Sequence, residues 1–255
     1  MIHPTAVIHS GAQIGADCKI GPYCVIGENV ILGEKCKLHS HVVIDGHTKL
    51  GDENEIFPFA SIGLKTQDLK WKSGVTRTEI GDKNTFREFV TIHSATGDGE
   101  VTRVGSRNHI LAYCHIAHNC ILGNNTIMSN VATLAGHVIV EDHAVIGGLA
   151  AIHQFCRVGK MAMIGGCSKV VQDVPPFMIA DGNPAETRTI NKVGMERNGV
   201  SEEAQNALRQ AYKILFREGL SISNALVKIE TELKPLPEIL HLIQFVKTSE
   251  RGISK

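Results

Sequence analysis

An aliphatic residue returns at every sixth position from Ile2: Ile8, Ile14, Ile20, Ile26, Leu32, Leu38, Ile44, Leu50, Ile56 and Ile62. The same phase resumes at Ile80, Phe86 and Ile92, pauses again, and runs without a miss from Val104 to Val170. With about half of all residues apolar, the first eleven hits alone would coincide about once in two thousand chains, so the period is a property of the fold. Six matches neither the helical nor the simple strand period. It predicts a parallel β-helix whose short strands stack coil on coil. The two pauses, at 63–79 and 93–103, then read as loops inserted into one continuous solenoid.

Glycine often follows the aliphatic position, as at Gly15, Gly21, Gly33, Gly51, Gly81 and Gly105, which predicts turns that need backbone freedom there. Two positions before the aliphatic residue stands a small one: Ala6, Ala12, Cys18, Cys24, Cys36, Ala60. Each strand is thus expected to send one large and one small side chain inward. The pattern resembles the left-handed β-helix family of hexapeptide-repeat proteins, in which three hexads make one triangular coil and three chains associate about a common axis. The resemblance covers residues 1 to about 180. At about 4.8 Å between strands, that length gives about ten coils and a prism roughly 48 Å long.

The periodicity changes near the C-terminus. Asp173 to Pro176 and Asn183-Pro184 end the hexads. Helical spacing follows in Ala204, Leu208, Ala211, Tyr212, Leu215 and Phe216, with Ser201 as cap and Gly219 as stop. Ser221 opens a second amphipathic stretch through Ile222, Leu226, Ile229 and Leu233, and a third contains Ile239, Leu242, Ile243 and Val246. The expected division is a β-helix over 1–185 and a helical domain over 186–255.

Charge adds little, because 26 basic and 26 acidic residues cancel and argue for neither nucleic acid nor a membrane surface. No segment approaches the roughly eighteen apolar residues of a membrane span. The hexads begin at Ile2 without a basic and apolar leader, which points to the cytoplasm. Six of the seven cysteines, Cys18, Cys24, Cys36, Cys114, Cys120 and Cys156, fall in the small inward slot and read as packing. Cys167 stands off that phase, and no role follows for it.

Candidate chemistry lies where the repeat spends histidine. His115 and His118 are followed by His137 after nineteen residues and His153 after sixteen more, each step close to one coil. Those spacings predict a ladder on one edge, either a site or a stack of structural polar residues. His93 precedes His118 by twenty-five residues, one coil plus about one hexad, and is expected on a different face. In a three-fold homotrimer those faces would meet, which suggests a cleft between subunits. The first inserted loop carries Thr66-Gln67-Asp68-Leu69-Lys70-Trp71 and reads as functional, with a subunit clasp as the plainer alternative. The second, Ala95 to Arg103, is rich in Gly and charge and says little.

The stretches SHVVIDGHTKLG, FASIG, QDLKW, TIHSATG, HIAHNC, ATLAGH, AIHQFC, GGCS and QDVPP, in this order and followed by the helical tail, span the chain. Together they resemble the sugar-nucleotide O-acyltransferases that begin lipid A synthesis. The N-acyltransferases of the same pathway, which carry an extra N-terminal domain, fit less well. The resemblance implies transfer of an (R)-3-hydroxyacyl group from acyl carrier protein to the 3-position of UDP-N-acetylglucosamine, with no cofactor and no metal. It implies His118 as general base, Asp68 as its orienting partner and the Gly136 amide as oxyanion donor. Gln67, Lys70, His93, His115, His137, His153, Gln154, Asn191 and Arg197 would bind substrate, and Gly166 would set acyl length. Such chemistry suits these residues: a sugar hydroxyl is a poor nucleophile, and an imidazole can take its proton during attack on a thioester.

The family often has Glu at Val193 and Arg at Asn198, so nucleotide contacts from the tail are less defined, and a 3-amino sugar stays open as acceptor. Two other classes fit the repeat. A β-helical zinc carbonic anhydrase would need a pair spaced H-x-x-x-x-H, and no two histidines here differ by five. A non-enzymatic scaffold would leave the polar ladder and the Gln-Asp-Leu-Lys loop without a purpose.

Overall fold

The computed structural model describes all residues, 1–255. Short strands, most of two residues, stack in parallel into three sheets of nine, eight and ten strands. The first face runs from Val7–Ile8 to Lys169–Val170, the second from Gln13–Ile14 to Arg157–Val158. The third starts at Lys19–Ile20 and ends in a hairpin of Met178–Gly182 and Ala185–Ile190. The chain visits the faces in turn, so a triangular prism results, with the parallel stacking that the sixfold period predicts. Register follows the aliphatic phase: Ile8 pairs with Ile26, Ile26 with Ile44, and Ile62 with Ile92.

The large aliphatic residues form one buried column with the small ones between them. The thiols of Cys18, Cys24 and Cys36 donate to the carbonyls of Gly33, His39 and Gly51, at 3.1, 2.8 and 3.2 Å. In later coils buried Asn54, Asn84 and Asn108 occupy the same slot and form an internal amide ladder, with Asn84 Nδ2 donating to Asn54 Oδ1 at 3.0 Å. A buried amide is tolerated because its partners are supplied by its own coil, as with Gly51 O for Asn54, and by the neighbouring coils.

The glycine expectation needs correction. The residues with positive φ are mostly not glycine; they are Asp17, Tyr23, Lys35, His41 and their equivalents at the turns. Glycines such as Gly15 and Gly21 are required by close approach instead. A Cβ on Gly15 would lie 2.5 Å from the Gly33 carbonyl, and one on Gly21 2.7 Å from that of His39.

The tail holds four helices: α1 (Lys192–Arg197), α2 (Glu202–Phe216), α3 (Ile222–Glu232) and α4 (Pro237–Lys247). Ser201 and Ser221 cap α2 and α3, accepting from the amides of Ala204 and Asn224 at 3.2 Å each. Gly219 turns the chain at φ +68. The helices share a second core with Met161, Phe177 and Met178, so the tail is packed onto the last coils. The short α1 is not marked by apolar periodicity; its signal is the Asn191 cap. No helix is long and apolar enough to cross a membrane.

Candidate active site

Both inserted loops leave the first face and rejoin the second, replacing the turn at that corner. They follow strands Ser61–Leu64 and Thr91–His93 and precede strands Arg77–Ile80 and Val101–Val104. His115–Ile116 is the next strand of the first face, so His118 sits at the same corner one coil further on. The loops are tied to each other by a 3.1 Å hydrogen bond between Thr66 Oγ1 and Thr96 Oγ1. They form a polar roof beside the imidazole.

The first loop delivers Asp68, whose Oδ2 stands 3.7 Å from His118 Nε2. That separation is a charge contact, too long for a hydrogen bond. The Lys70 amide donates to Asp68 Oδ1 at 3.0 Å, and this bond above all holds the carboxyl below its usual range. On the other side of the ring, Nδ1 lies 3.0 Å from Asn119 Oδ1. The hydrogen-bonded partner of His118 is therefore Asn119, while Asp68, the orienting residue that the resemblance implies, stands beside Nε2 without a hydrogen bond. Asn119 follows directly in HIAHNC, and an adjacent amide carries no periodic signal.

Gly136 lies one coil beyond His118. Its N–H makes no hydrogen bond within the chain, while its carbonyl accepts from Phe155 N at 3.1 Å. A Cβ at this position would lie 2.4 Å from His118 Cε1 and Nε2, so only glycine leaves room for the ring. His137 meets the His118 ring edge-on at 5.2 Å between centroids and stacks on Phe155 at 4.7 Å. The ladder is thus Asn119, His137 and Phe155, one per coil. His153 falls two residues short of that corner; it is exposed and lies 3.1 Å from the Gln154 carbonyl.

His93 is not on a different face. Ile92 pairs with Ile116, because the extra residues of the second loop absorb the additional hexad, and His93 contacts His115 at 5.1 Å between ring centroids. Both stay neutral near pH 7. Burial, then the charges of His93 and His118, pushes His115 down to about 4, and burial chiefly lowers His93 as well. Burial lowers His137 too, with the neighbouring His118 adding to it. Thr91 Oγ1 holds His115 Nδ1 at 2.7 Å.

Gln67, Lys70 and Gln154 are exposed, available to a ligand at the corner. Asn191 is buried, and each of its polar atoms has a partner: its Nδ2 donates to Met161 O at 2.8 Å and its Oδ1 accepts from Gly194 N at 3.0 Å. It caps α1, so its side chain holds the tail to the last coils as well as facing any ligand there. Arg197 is exposed at the end of α1, beside exposed Val193 and Asn198. Gly166 precedes Cys167 at the corner between the third and first faces, so a single chain does not bring it to His118.

A hexad prism with an imidazole at one corner, a carboxylate near one of its nitrogens and an unpaired glycine amide one coil on carries the groups that a hexapeptide-repeat acyltransferase needs. Residues 173–254 match the family described as "Udp N-acetylglucosamine O-acyltransferase; Domain 2", and residues 1–28 and 11–46 match the bacterial transferase hexapeptide repeat. The acyl-[acyl-carrier-protein]–UDP-N-acetylglucosamine O-acyltransferase of Myxococcus xanthus is 48% identical over 255 residues, covering 100% of this chain and 99% of the relative. The solved structure of LpxA from Acinetobacter baumannii superposes with a TM-score of 0.97 at 46% identity, covering 100% of this chain and 99% of that one. The UDP-N-acetylglucosamine acyltransferase from Bacteroides fragilis gives 0.96 at 39%, each chain covered in full. The chain belongs to the UDP-N-acetylglucosamine O-acyltransferase family.

Proposed function

We propose that this protein transfers an (R)-3-hydroxyacyl group from acyl carrier protein to the 3-hydroxyl of UDP-N-acetylglucosamine, the first step of lipid A synthesis, in the cytoplasm. The observation that carries this beyond family membership is His118 Nε2, which has Asp68 at 3.7 Å and the free Gly136 N–H in the adjoining coil. Nε2 takes the hydroxyl proton as the sugar oxygen attacks the thioester carbon. The imidazolium that forms faces the Asp68 carboxylate, which stabilises the charge. The tetrahedral oxyanion accepts a hydrogen bond from Gly136 N–H, and collapse expels the carrier thiolate, which recovers the proton from Nε2. No acyl-enzyme is required. His93 and His115, held neutral, add no charge that would oppose protonation of His118.

Substrate binding falls to Gln67, Lys70, His137, His153, Gln154 and Arg197, with Lys70 and Arg197 offering positive charge to the pyrophosphate. Gly166 lies at another corner, so the acyl chain reaches it only across a subunit boundary. A homotrimer with three shared clefts is the assembly proposed, the 1–185 prism forming the cleft and the 186–255 tail its rim. An added Cβ at Gly166 would touch only the Gly148 carbonyl, at 3.4 Å. The fold therefore does not need glycine there, which supports a role in acyl length.

The deciding experiment is acyl transfer with the 3-hydroxy and 3-amino sugar nucleotides in parallel, comparing the parent with His118→Ala. The parent should prefer the hydroxyl acceptor. The variant should stay folded and lose roughly 10² to 10⁴ in turnover. Parent-level turnover in a folded His118→Ala protein would remove the base from this scheme, and preference for the amino sugar would change the acceptor.

A further inference from the structure

The Asn119 amide end beside His118 Nδ1 decides whether that nitrogen carries a proton. If the amide presents its oxygen, Nδ1 must be the N–H and Nε2 holds the lone pair a base needs; if it presents its NH2, the tautomer inverts. Two neighbours fix the amide. The far end of Asn119 lies 2.7 Å from Glu100 Oε2, and an ionised carboxylate only accepts, so that end is the NH2. The near end receives the backbone N–H of Thr96 at 3.1 Å, so it is the oxygen. Glu100 is itself held, because the Gly97 amide donates to the same Oε2 at 2.7 Å. The Asn119 bond first, and then the Gly97 bond, keep the Glu100 carboxyl below its usual range. Asn119 N donates to Thr102 Oγ1 at 2.8 Å, so the backbone is anchored too.

We infer that Glu100, in the second inserted loop, is a positioning residue that acts through Asn119 to select the Nδ1–H tautomer of His118. The lock has an opponent. Asp68 faces Nε2, and its negative charge favours a proton on that nitrogen in the neutral ring, which is the tautomer that cannot act as base. Asp68 helps only once the proton has been taken. Without Glu100 the amide keeps only the Thr96 N–H to hold its oxygen toward the ring, and Asp68 then competes to draw the imidazole into the inactive form.

This rests on His118 being the base, and the test separates the two. Glu100 sits at the exposed surface of its loop, so Glu100→Met leaves the core untouched. That variant should lose about ten- to a hundredfold in kcat, the range that partners behind metal-bound imidazoles command, with KM for both substrates little changed. Glu100→Gln can offer an oxygen to the same two donors and should retain most of the turnover. Asn119→Asp alone sets two carboxylates against each other at the 2.7 Å contact and should be impaired. Combining it with Glu100→Met should restore activity above either single change, because both ends of a carboxylate accept and no orientation needs fixing.

Nitrogen NMR of labelled histidine should report His118 protonated at Nδ1 in the parent and shifted toward Nε2 in Glu100→Met. A role confined to loop stability moves neither the NMR signature nor the rescue. Parent-level kcat in Glu100→Met, or a double variant no better than that single one, overturns the assignment. If instead His118→Ala is fully active, it is the base itself that falls.

Discussion

Replacing Gly136 with alanine isolates the position of the base from every other feature of the site. The backbone there is not in the left-handed region, so alanine is conformationally acceptable, and its N–H remains. The new methyl would lie 2.4 Å from both Cε1 and Nε2 of His118, where ordinary contact begins at 3.4 Å. The ring must retreat by about the difference, roughly 1 Å, and so shift relative to Asn119 and Asp68. A misplacement of that size costs on the order of a hundredfold in a step that depends on near-attack geometry. Steady-state acyl transfer should therefore show kcat down about a hundredfold, with KM for the sugar nucleotide within a few-fold. The thermal midpoint should stay near the parent's. Adding His118→Ala to Gly136→Ala should cost little more than His118→Ala alone, since both act on one group. Parent-level turnover in a folded Gly136→Ala protein would refute the placement of the base against this glycine.

Gly166→Met tests the length determinant: each buried methylene contributes about 0.8 kcal/mol, so excluding four costs about 3 kcal/mol, or roughly a hundredfold. Donor preference should move toward chains about four carbons shorter than the parent's, and unchanged relative rates in a folded protein would put the stop elsewhere. His115 tests linkage: its folded pKa of about 4 lies below the model-peptide 6.5, so the unfolded chain binds more protons between those values. Its contribution to stability is present above pH 6.5 and lost as pH falls toward 4. Denaturant midpoints at pH 7 and 5 should differ less in His115→Gln than in the parent, with the lowered His93 accounting for part of what remains. Sedimentation of an active protein should show a trimer, and an active monomer would remove the shared cleft.

The prism was legible because inward side chains repeat with a fixed step, and Ile8, Ile26 and Ile44 fall in one column whatever the turns contain. The helices were legible for a similar reason, down to the capping serines. His93 was misplaced because counting by eighteen assumes that loop residues add to the coil, whereas the second loop leaves it and returns to the same register. His153 was misplaced by two residues within an otherwise correct corner. Asn191 entered only through the resemblance, and its structural bonds to the Met161 carbonyl and the Gly194 amide have no signature in the hexad or helical period. Asn119 and Glu100 were invisible as a pair: they lie nineteen residues apart in the sequence, meet through an inserted loop, and follow no period.

A hexad repeat can place an imidazole on an edge, but its geometry limits what can surround that imidazole. The coils above and below present their own edge residues at one coil spacing, which suits stacking, as with His137 on Phe155, and does not deliver separate groups to the two ring nitrogens. The insertions lift that restriction. Because both replace turns on the preceding coils at the same corner, each can fold over the edge from below, one reaching Nε2 with Asp68 and the other reaching Nδ1 through Asn119. Their mutual bond between Thr66 and Thr96 keeps those two approaches in register with each other. The repeat thus supplies the rigid edge, and the departures from the repeat supply the asymmetry that an acid–base group requires.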